Sequence, residues 1–307
     1  MIQTEALTKV FGSNVAVDHL SVTVFPGLVT GFLGPNGAGK STTMRLMVGL
    51  DRATSGRALV NGQAYRKLRD PLAQVGVLLD AKAVHPGRSA RSHLRAMAAT
   101  QGIGRRRVEE MIELTGLGSV ASRRVGKFSL GMHQRLGIAA ALLGDPAVLI
   151  LDEPVNGLDP EGVAWVRQLA RGMAAQGRTV LISSHLMSEM AQTADRVIII
   201  GRGRLIADTS VADLIARTSG QTSLVRSPQA SQLFEALTRQ GAKVKTQAEG
   251  TLIVDGWPTA AIGDLAAAEG LTLHQLTSQT STLEAAYMEI TRGAVEFRSG
   301  LPGGGAR

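Results

Sequence analysis

At 307 residues, with 33 Lys+Arg against 25 Asp+Glu and a formal net charge of +8, the chain has room for about two domains with separate cores. The absence of cysteine excludes disulfides, thiolate catalysis and cysteine-ligated metals, and basic residues gather only in short clusters such as Arg105–Arg107, which favours solvated faces over a nucleic-acid or anionic-membrane surface. The longest apolar tract, 136–151, is broken by Gly144, Asp145 and Pro146, and no basic-then-apolar leader opens the chain, so no segment is expected to span a bilayer and the chain is expected to be soluble on its own.

In chain order, Phe11-Gly12 first offers a lone aromatic beside a flexible residue. Leu20, Val22 and Val24 then alternate with polar residues inside 15–25, the period of a half-buried strand that stops at the Pro26–Gly27 turn. The run 28–33 is apolar, as expected of a buried strand, and 41–50 has a helical pattern. Between them Gly34, Pro35, Asn36, Gly37, Ala38, Gly39, Lys40, Ser41 and Thr42 satisfy G-x-x-x-x-G-K-[ST], the phosphate-cradling P-loop. Strand, glycine turn and helix together aim backbone N–H groups and a helix N-terminus at an anion. The glycines let the backbone approach phosphate oxygens, Lys40 is placed to reach the β- and γ-phosphates of ATP, and the Ser41 hydroxyl to hold Mg²⁺.

Residues 56–60 and the Asn61–Gly62 dipeptide read as a strand entering a tight hairpin turn, and 75–79 as a short strand ending at Asp80. From about 85 to 143 the period becomes helical, with Val108, Met111, Ile112 and Thr115 on one face, which predicts a helical subdomain inserted into the core. Strand patterns return at 147–151, 179–182 and 196–200 with helical stretches between them. This alternation predicts a parallel α/β sheet with ligands at the carboxyl ends of its strands. Two acids close the apolar run 147–151, where uncompensated carboxylates would be costly. Asp152 is expected to supply an oxygen to Mg²⁺, and Glu153 to orient and deprotonate an attacking water.

Past Asp208 a short helix (210–217) and a linker (218–222) lead into a second pattern. Strand 223–226, helix 229–240, strands 243–247 and 251–254, helix 259–269 and strand 271–276 give βαββαβ, the split ferredoxin-like order. Ser281 and Glu284 form an expected capping box for a last helix with Leu283, Tyr287 and Ile290 on one face. The expected division is 1–217 for the nucleotide-binding part, 218–292 for an accessory α+β domain, and 293–307 for a Gly/Pro-rich tail expected to be disordered.

Three further stretches complete a pattern. Phe128-Ser-Leu-Gly-Met132, Asn156-Gly-Leu-Asp159 and His185 follow the P-loop in an order that resembles the signature motif, D-loop and switch histidine of ATP-binding cassette proteins. The resemblance covers about 2–215, and the tail and signature form are similar to ATPase subunits of bacterial drug-resistance and bacitracin/lantibiotic-type exporters. It implies a P-loop NTPase core that binds ATP and Mg²⁺ and works as a head-to-tail homodimer on separately encoded transmembrane permease subunits, at the cytoplasmic face of the membrane and without direct nucleic-acid contact. By the same resemblance Ser129 and Gly131 contact ATP held by the other subunit, Phe11 stacks on adenine, and Asp80 takes the Q-loop position near Mg²⁺ or water. Asp159 and His185 complete the implied set. Two departures stand out: Leu130 and Met132 replace a glycine and a glutamine of the signature, and Asp80 replaces the Q-loop glutamine. Phe11 also has a plainer reading, a core phenylalanine. The alternative functions are a soluble cassette acting on ribosomes or DNA, and an ATP-gated regulatory module.

Overall fold

The computed structural model describes residues 1–218, 222–247, 250–279 and 282–291. They fall into two compact units, Met1–Val211 and Ala212–Ile290. The linker residues 219–221, Ser281 of the expected capping box and the tail 293–307 lie outside the described residues.

The first unit carries two sheets. Strands β1 (Ile2–Phe11), β2 (Asn14–Val24) and β4 (Ser55–Val60) form an antiparallel sheet in the order β2-β1-β4. Around β3 (Val29–Leu33) assemble β5 (Val75–Leu78), β6 (Val148–Leu151), β7 (Thr179–Ser183), β8 (Arg196–Gly201) and β9 (Arg204–Ser210), in the order β5-β6-β7-β3-β8-β9. Every residue of β3, β6 and β7 is buried, as befits strands covered on both faces.

The expected all-parallel sheet needs correction at its edge, where β9 runs antiparallel to β8. Neither β9 nor β1 was anticipated from the sequence. In β1 the ladder shifts register between Thr4 and Leu7, with Ala6 at φ +42°, and this bulge breaks the period-two pattern. In β9 only Thr209 is buried and its apolar stretch is just three residues, 205–207, so no long apolar run marks it. The Asn61–Gly62 hairpin is also cut short. Both residues have positive φ as a type I′ turn requires, but only the Val60–Gln63 bridge follows, because β4 pairs with β1.

The helix after the P-loop, α1 (Lys40–Met47), is shorter than the expected 41–50. Leu50 N–H donates to Arg45 O and Gly49 N–H to Leu46 O, the paired bonds of a Schellman stop. Met44 and Met47 of α1 join Phe32, Ile150, Leu181 and Ile198 in the core. After α2 (Pro71–Gln74), the helical insertion comprises α3 (Ala90–Ala99), α4 (Arg105–Leu114) and α5 (Leu130–Leu142). Val108, Met111, Ile112 and Thr115 are buried on one face as their spacing predicts. Helices α6 (Pro160–Ala175) and α7 (Met187–Thr193) complete the α/β layers.

From its start at Ala212 in helix α8 (Val211–Thr218), the second unit contains β10 (Thr222–Arg226), α9 (Ala230–Arg239), β11 (Lys243–Gln247), β12 (Thr251–Asp255), α10 (Thr259–Ala268) and β13 (Gln275–Gln279). The sheet order β11-β12-β10-β13, antiparallel throughout, is ferredoxin-like. Its last strand starts later than the expected 271–276. Thr272 N–H donates to the Gln229 side chain and its carbonyl accepts from Ser227 Oγ, which holds this stretch against the loop before α9. Leu271 and Leu273 still pack on the core formed by Val225, Leu233, Leu237 and Ile262. Helix α11 (Leu283–Thr291) follows, and its cap is Thr282, whose Oγ1 accepts from Ala285 N–H at 3.2 Å.

Strand β5 and helix α5 approach closely at Gly76, where an added Cβ would lie 2.1 Å from Ala141 O. Gly76→Ala is therefore expected to destabilise the fold by about 1–3 kcal/mol, the usual cost of overpacking, read as a lower urea midpoint with an unchanged slope.

Candidate functional site

The strand order places the ends of β3, β7 and β6 next to one another, so the P-loop, the Ser183–His185 segment and the Asp152–Glu153 pair converge. Two P-loop positions admit only glycine. A Cβ on Gly34 would sit 2.5 Å from Ile200 O, and one on Gly39, at φ +100°, 2.3 Å from Ala16 O. The β8–β9 turn clasps the loop from outside through Gly203 N–H to Ala38 O at 3.0 Å.

Lys40 opens α1 and is 8% exposed. Its Nζ donates to Gly34 O at 2.6 Å and to Pro35 O at 3.2 Å. Burial pushes the Lys40 ammonium below its ordinary pKa, while the charges of Glu153 and Asp152 oppose that shift. A buried cation with only loop carbonyls as direct partners suits an incoming polyanion.

The P-loop and its neighbours enclose a cavity of about 480 Å³, lined by residues 36–42 together with Phe11, Asn14, Asp152, Glu153 and Arg202. Phe11 is 47% exposed at this cavity, which rules out the core reading, and Lys9 Nζ lies 4.7 Å from its ring centroid. The donor set also fits Mg²⁺: Ser41 and Asp152 both line the cavity with hard oxygens. Among the described residues no cluster of three or more His, Cys, Asp or Glu side chains could hold a metal, so most of the ion's remaining ligands would have to come from phosphate and water.

Asp152 is buried at the end of β6, where its Oδ1 accepts a short hydrogen bond from Ser183 Oγ. The same Ser183 oxygen accepts from Glu153 N–H at 2.8 Å, so one hydroxyl ties the two acids together. Glu153 has φ +49°. Its carbonyl accepts from Gln134 Nε2 at 3.1 Å and its Oε2 lies 2.7 Å from His185 Nδ1. This is the geometry of a carboxylate oriented by an imidazole, poised beside a phosphate site.

The other expected residues lie elsewhere. Asp80 does not line the P-loop cavity. With Gln134 and Asn156 it borders an adjoining cavity of about 260 Å³ that shares Asp152 and Glu153, and its Oδ1 accepts from Lys82 N–H. Ser129 caps α5 by accepting from Met132 N–H, and a Cβ on Gly131 would come 2.7 Å from Gly157 O. Asp159 caps α6 by accepting from Gly162 N–H at 3.0 Å. None of Ser129, Gly131 and Asp159 borders the P-loop cavity of its own chain.

Ser183, which ties the two acids together, and Gln134 and Arg202, which border the cavities, were not singled out from the sequence. Ser183 ends an apolar strand, but nothing in the sequence places it beside the two acids 31 and 30 positions earlier. Arg202 occupies the first position of a type I′ turn at φ +50°, where Asn61 sits in the equivalent turn at φ +49°, so a long cation replaces the residue that tolerates this backbone best. Nothing in sequence order links Gln134 to Glu153.

Comparisons with known proteins point to one family. The ABC transporter family profile matches residues 17–156, and a domain of unknown function matches 221–284. The bacitracin transport ATP-binding protein BcrA of Bacillus licheniformis is 43% identical over 68% of this chain and 69% of its own length. The ABC transporter ATP-binding protein YhcH of Bacillus subtilis is 34% identical over 95% of this chain and 96% of its own, so that likeness extends through the second unit. A dimeric bacterial ABC transporter cassette superposes with a TM-score of 0.63 at 23% identity, covering 68% of this chain and 98% of that one.

Ser183→Ala would leave a buried Asp152 oxygen and the Glu153 N–H without their shared partner. Stability is expected to fall by about 1–3 kcal/mol, measured by chemical denaturation. A loss below about 0.5 kcal/mol would show that the hydroxyl is dispensable there.

Proposed function

This chain belongs to the ABC transporter ATP-binding proteins, a family of ATP-hydrolysing subunits, and from that premise we propose that two copies close on ATP to drive a separately encoded membrane permease, in the direction of export. The observation that carries this reading is the buried Lys40 ammonium lining one cavity with Asp152 and Glu153, whose carboxylate meets His185.

In this reading Lys40 leaves the Gly34 and Pro35 carbonyls for the β- and γ-phosphate oxygens. Ser41 and Asp152 would hold Mg²⁺, which would supply neutralisation of phosphate charge. Ser183 keeps Asp152 oriented. Glu153 takes a proton from the attacking water, and the His185 imidazole holds its carboxylate in place. Phe11 stacks on the adenine, consistent with its exposed ring at the cavity. Asp80 acts from the adjoining cavity on water at the Asp152–Glu153 pair.

Ser129, Gly131 and Asp159 serve the second copy. Ser129 and Gly131 sit at the N-terminus of α5, where the first N–H groups and the helix dipole favour an anion. A γ-phosphate bridging that terminus to the partner's Lys40 site favours closure, and its loss on hydrolysis releases it.

The permease would dock in a groove of about 460 Å³ lined by Leu50, Tyr65, Leu72, Val77, His93 and Met97, an apolar surface suited to a helix from another protein. Among the described residues no helix is long and apolar enough to cross a membrane, so the membrane-spanning part is assigned to that partner, with this subunit on its cytoplasmic face.

Two substitutions test the reading. Glu153→Gln is expected to keep Mg-ATP binding, accumulate an ATP-dependent dimer in light scattering, and lower kcat by about 10²–10⁴-fold. Lys40→Ala is expected to abolish measurable Mg-ATP binding by calorimetry. Near-wild-type turnover in Glu153→Gln would remove Glu153 as the base. Co-purification of this chain with ribosomes, and not with a membrane protein, would replace the permease assignment.

A further inference from the structure

Glu153 holds a backbone conformation, φ +49°, that side-chain-bearing residues adopt only where their surroundings over-determine it. Three groups do so here. Ser183 Oγ accepts from its N–H, His185 Nδ1 meets its carboxylate, and Gln134 Nε2 donates to its carbonyl. The first two come from the end of β7 and the residues just beyond it, whereas Gln134 belongs to α5 in the helical insertion.

Gln134 is 5% exposed, and its Oε1 is buried with no hydrogen-bond partner. The amide therefore spends its donor on Glu153 and leaves its acceptor unsatisfied, an arrangement with a cost that packing alone does not call for. An apolar side chain of similar size would fill the space without it. The bond crosses the rim of the cavity that Gln134, Asp80, Asp152 and Glu153 share. It restrains the peptide unit on the C-terminal side of Glu153, and with it the direction from which the carboxylate enters the P-loop cavity.

We propose that Gln134 is a positioning residue for the base: it clamps the Glu153 carbonyl so that the strained backbone presents the carboxylate toward the attacking water. This rests on the ATPase reading above, and it places on α5 a determinant of turnover separate from the Ser129 end of that helix. Losing the clamp leaves Lys40, Ser41 and Asp152 untouched, so nucleotide affinity and turnover should separate.

The test uses the full-length chain with Gln134→Leu and Gln134→Glu. The leucine variant removes the donor, and the glutamate variant keeps the shape but offers an acceptor to an acceptor. Both are expected to lose about 10- to 100-fold in kcat, the scale of a misplaced reacting group, with Mg-ATP Kd and KM within about twofold of wild type. Burial is expected to raise the pKa of a carboxyl introduced at this position. As pH falls it protonates and becomes a donor again, so the ratio of Gln134→Glu to wild-type kcat should climb from pH 8.5 to about pH 6. Wild-type kcat in Gln134→Leu overturns the proposal. So does a Gln134→Glu ratio flat with pH, or a parallel loss of Mg-ATP affinity and turnover. If the leucine variant fails to fold, the near-isosteric glutamate variant and its pH profile decide. Failure of the wild type itself to bind Mg-ATP would instead bring down the ATPase reading.

Discussion

The arrangement depends on opposite charges held out of water at the ends of neighbouring strands. Lys40 at the mouth of α1 and Asp152 at the end of β6 are each 8% exposed, and Glu153 lies beside them. A lone ammonium or a lone carboxylate at such depth would be expensive, and each is tolerable because the other is near. The balance is incomplete, since burial still depresses the Lys40 pKa against the pull of both acids. A polyanion accompanied by a divalent cation would relieve that residual electrostatic debt.

Keeping the charges there requires a backbone with no room to spare. Gly34 and Gly39 lie too close to the carbonyls of Ile200 and Ala16 for any Cβ. Gly203 fastens the loop through Ala38, and its own carbonyl accepts from Asp18 N–H. The β8–β9 turn thus links β2 to the P-loop, and the same turn brings Arg202 to the cavity wall. Ser183 does the corresponding work for the acids, with one hydroxyl serving the Asp152 carboxylate and the Glu153 amide.

Helix α5 joins this machinery to the insertion. Its first turn is ordered by Ser129, which accepts from Met132 N–H, while Gln134 reaches the Glu153 carbonyl. Arg135 of the same helix donates to Thr115 O and lies 5.4 Å from the Trp165 ring centroid, tying α5 to the end of α4 and to α6.

Local chemistry made much of this molecule legible in its sequence. The P-loop spells out its own backbone geometry, and the apolar runs ending in Asp152 and in two serines announce buried strands. The βαββαβ order of the second unit follows from period changes alone, and its sheet order agrees with the ferredoxin-like reading. Where a tertiary contact overrides the pattern, the sequence was silent or misleading. The β1 bulge hides a strand, the exposed face of β9 hides another, and Ser227 and Gln229 hold residues ahead of β13 out of the ladder. Site membership divides in the same way. Motif spacing found Lys40, Ser41, Asp152 and Glu153, whose roles depend on short segments of backbone. Ser183, Gln134 and Arg202 became visible only once folding brought α5, the end of β7 and the β8–β9 turn to one place, because a hydrogen bond or cavity wall between distant segments leaves no periodic trace in the chain.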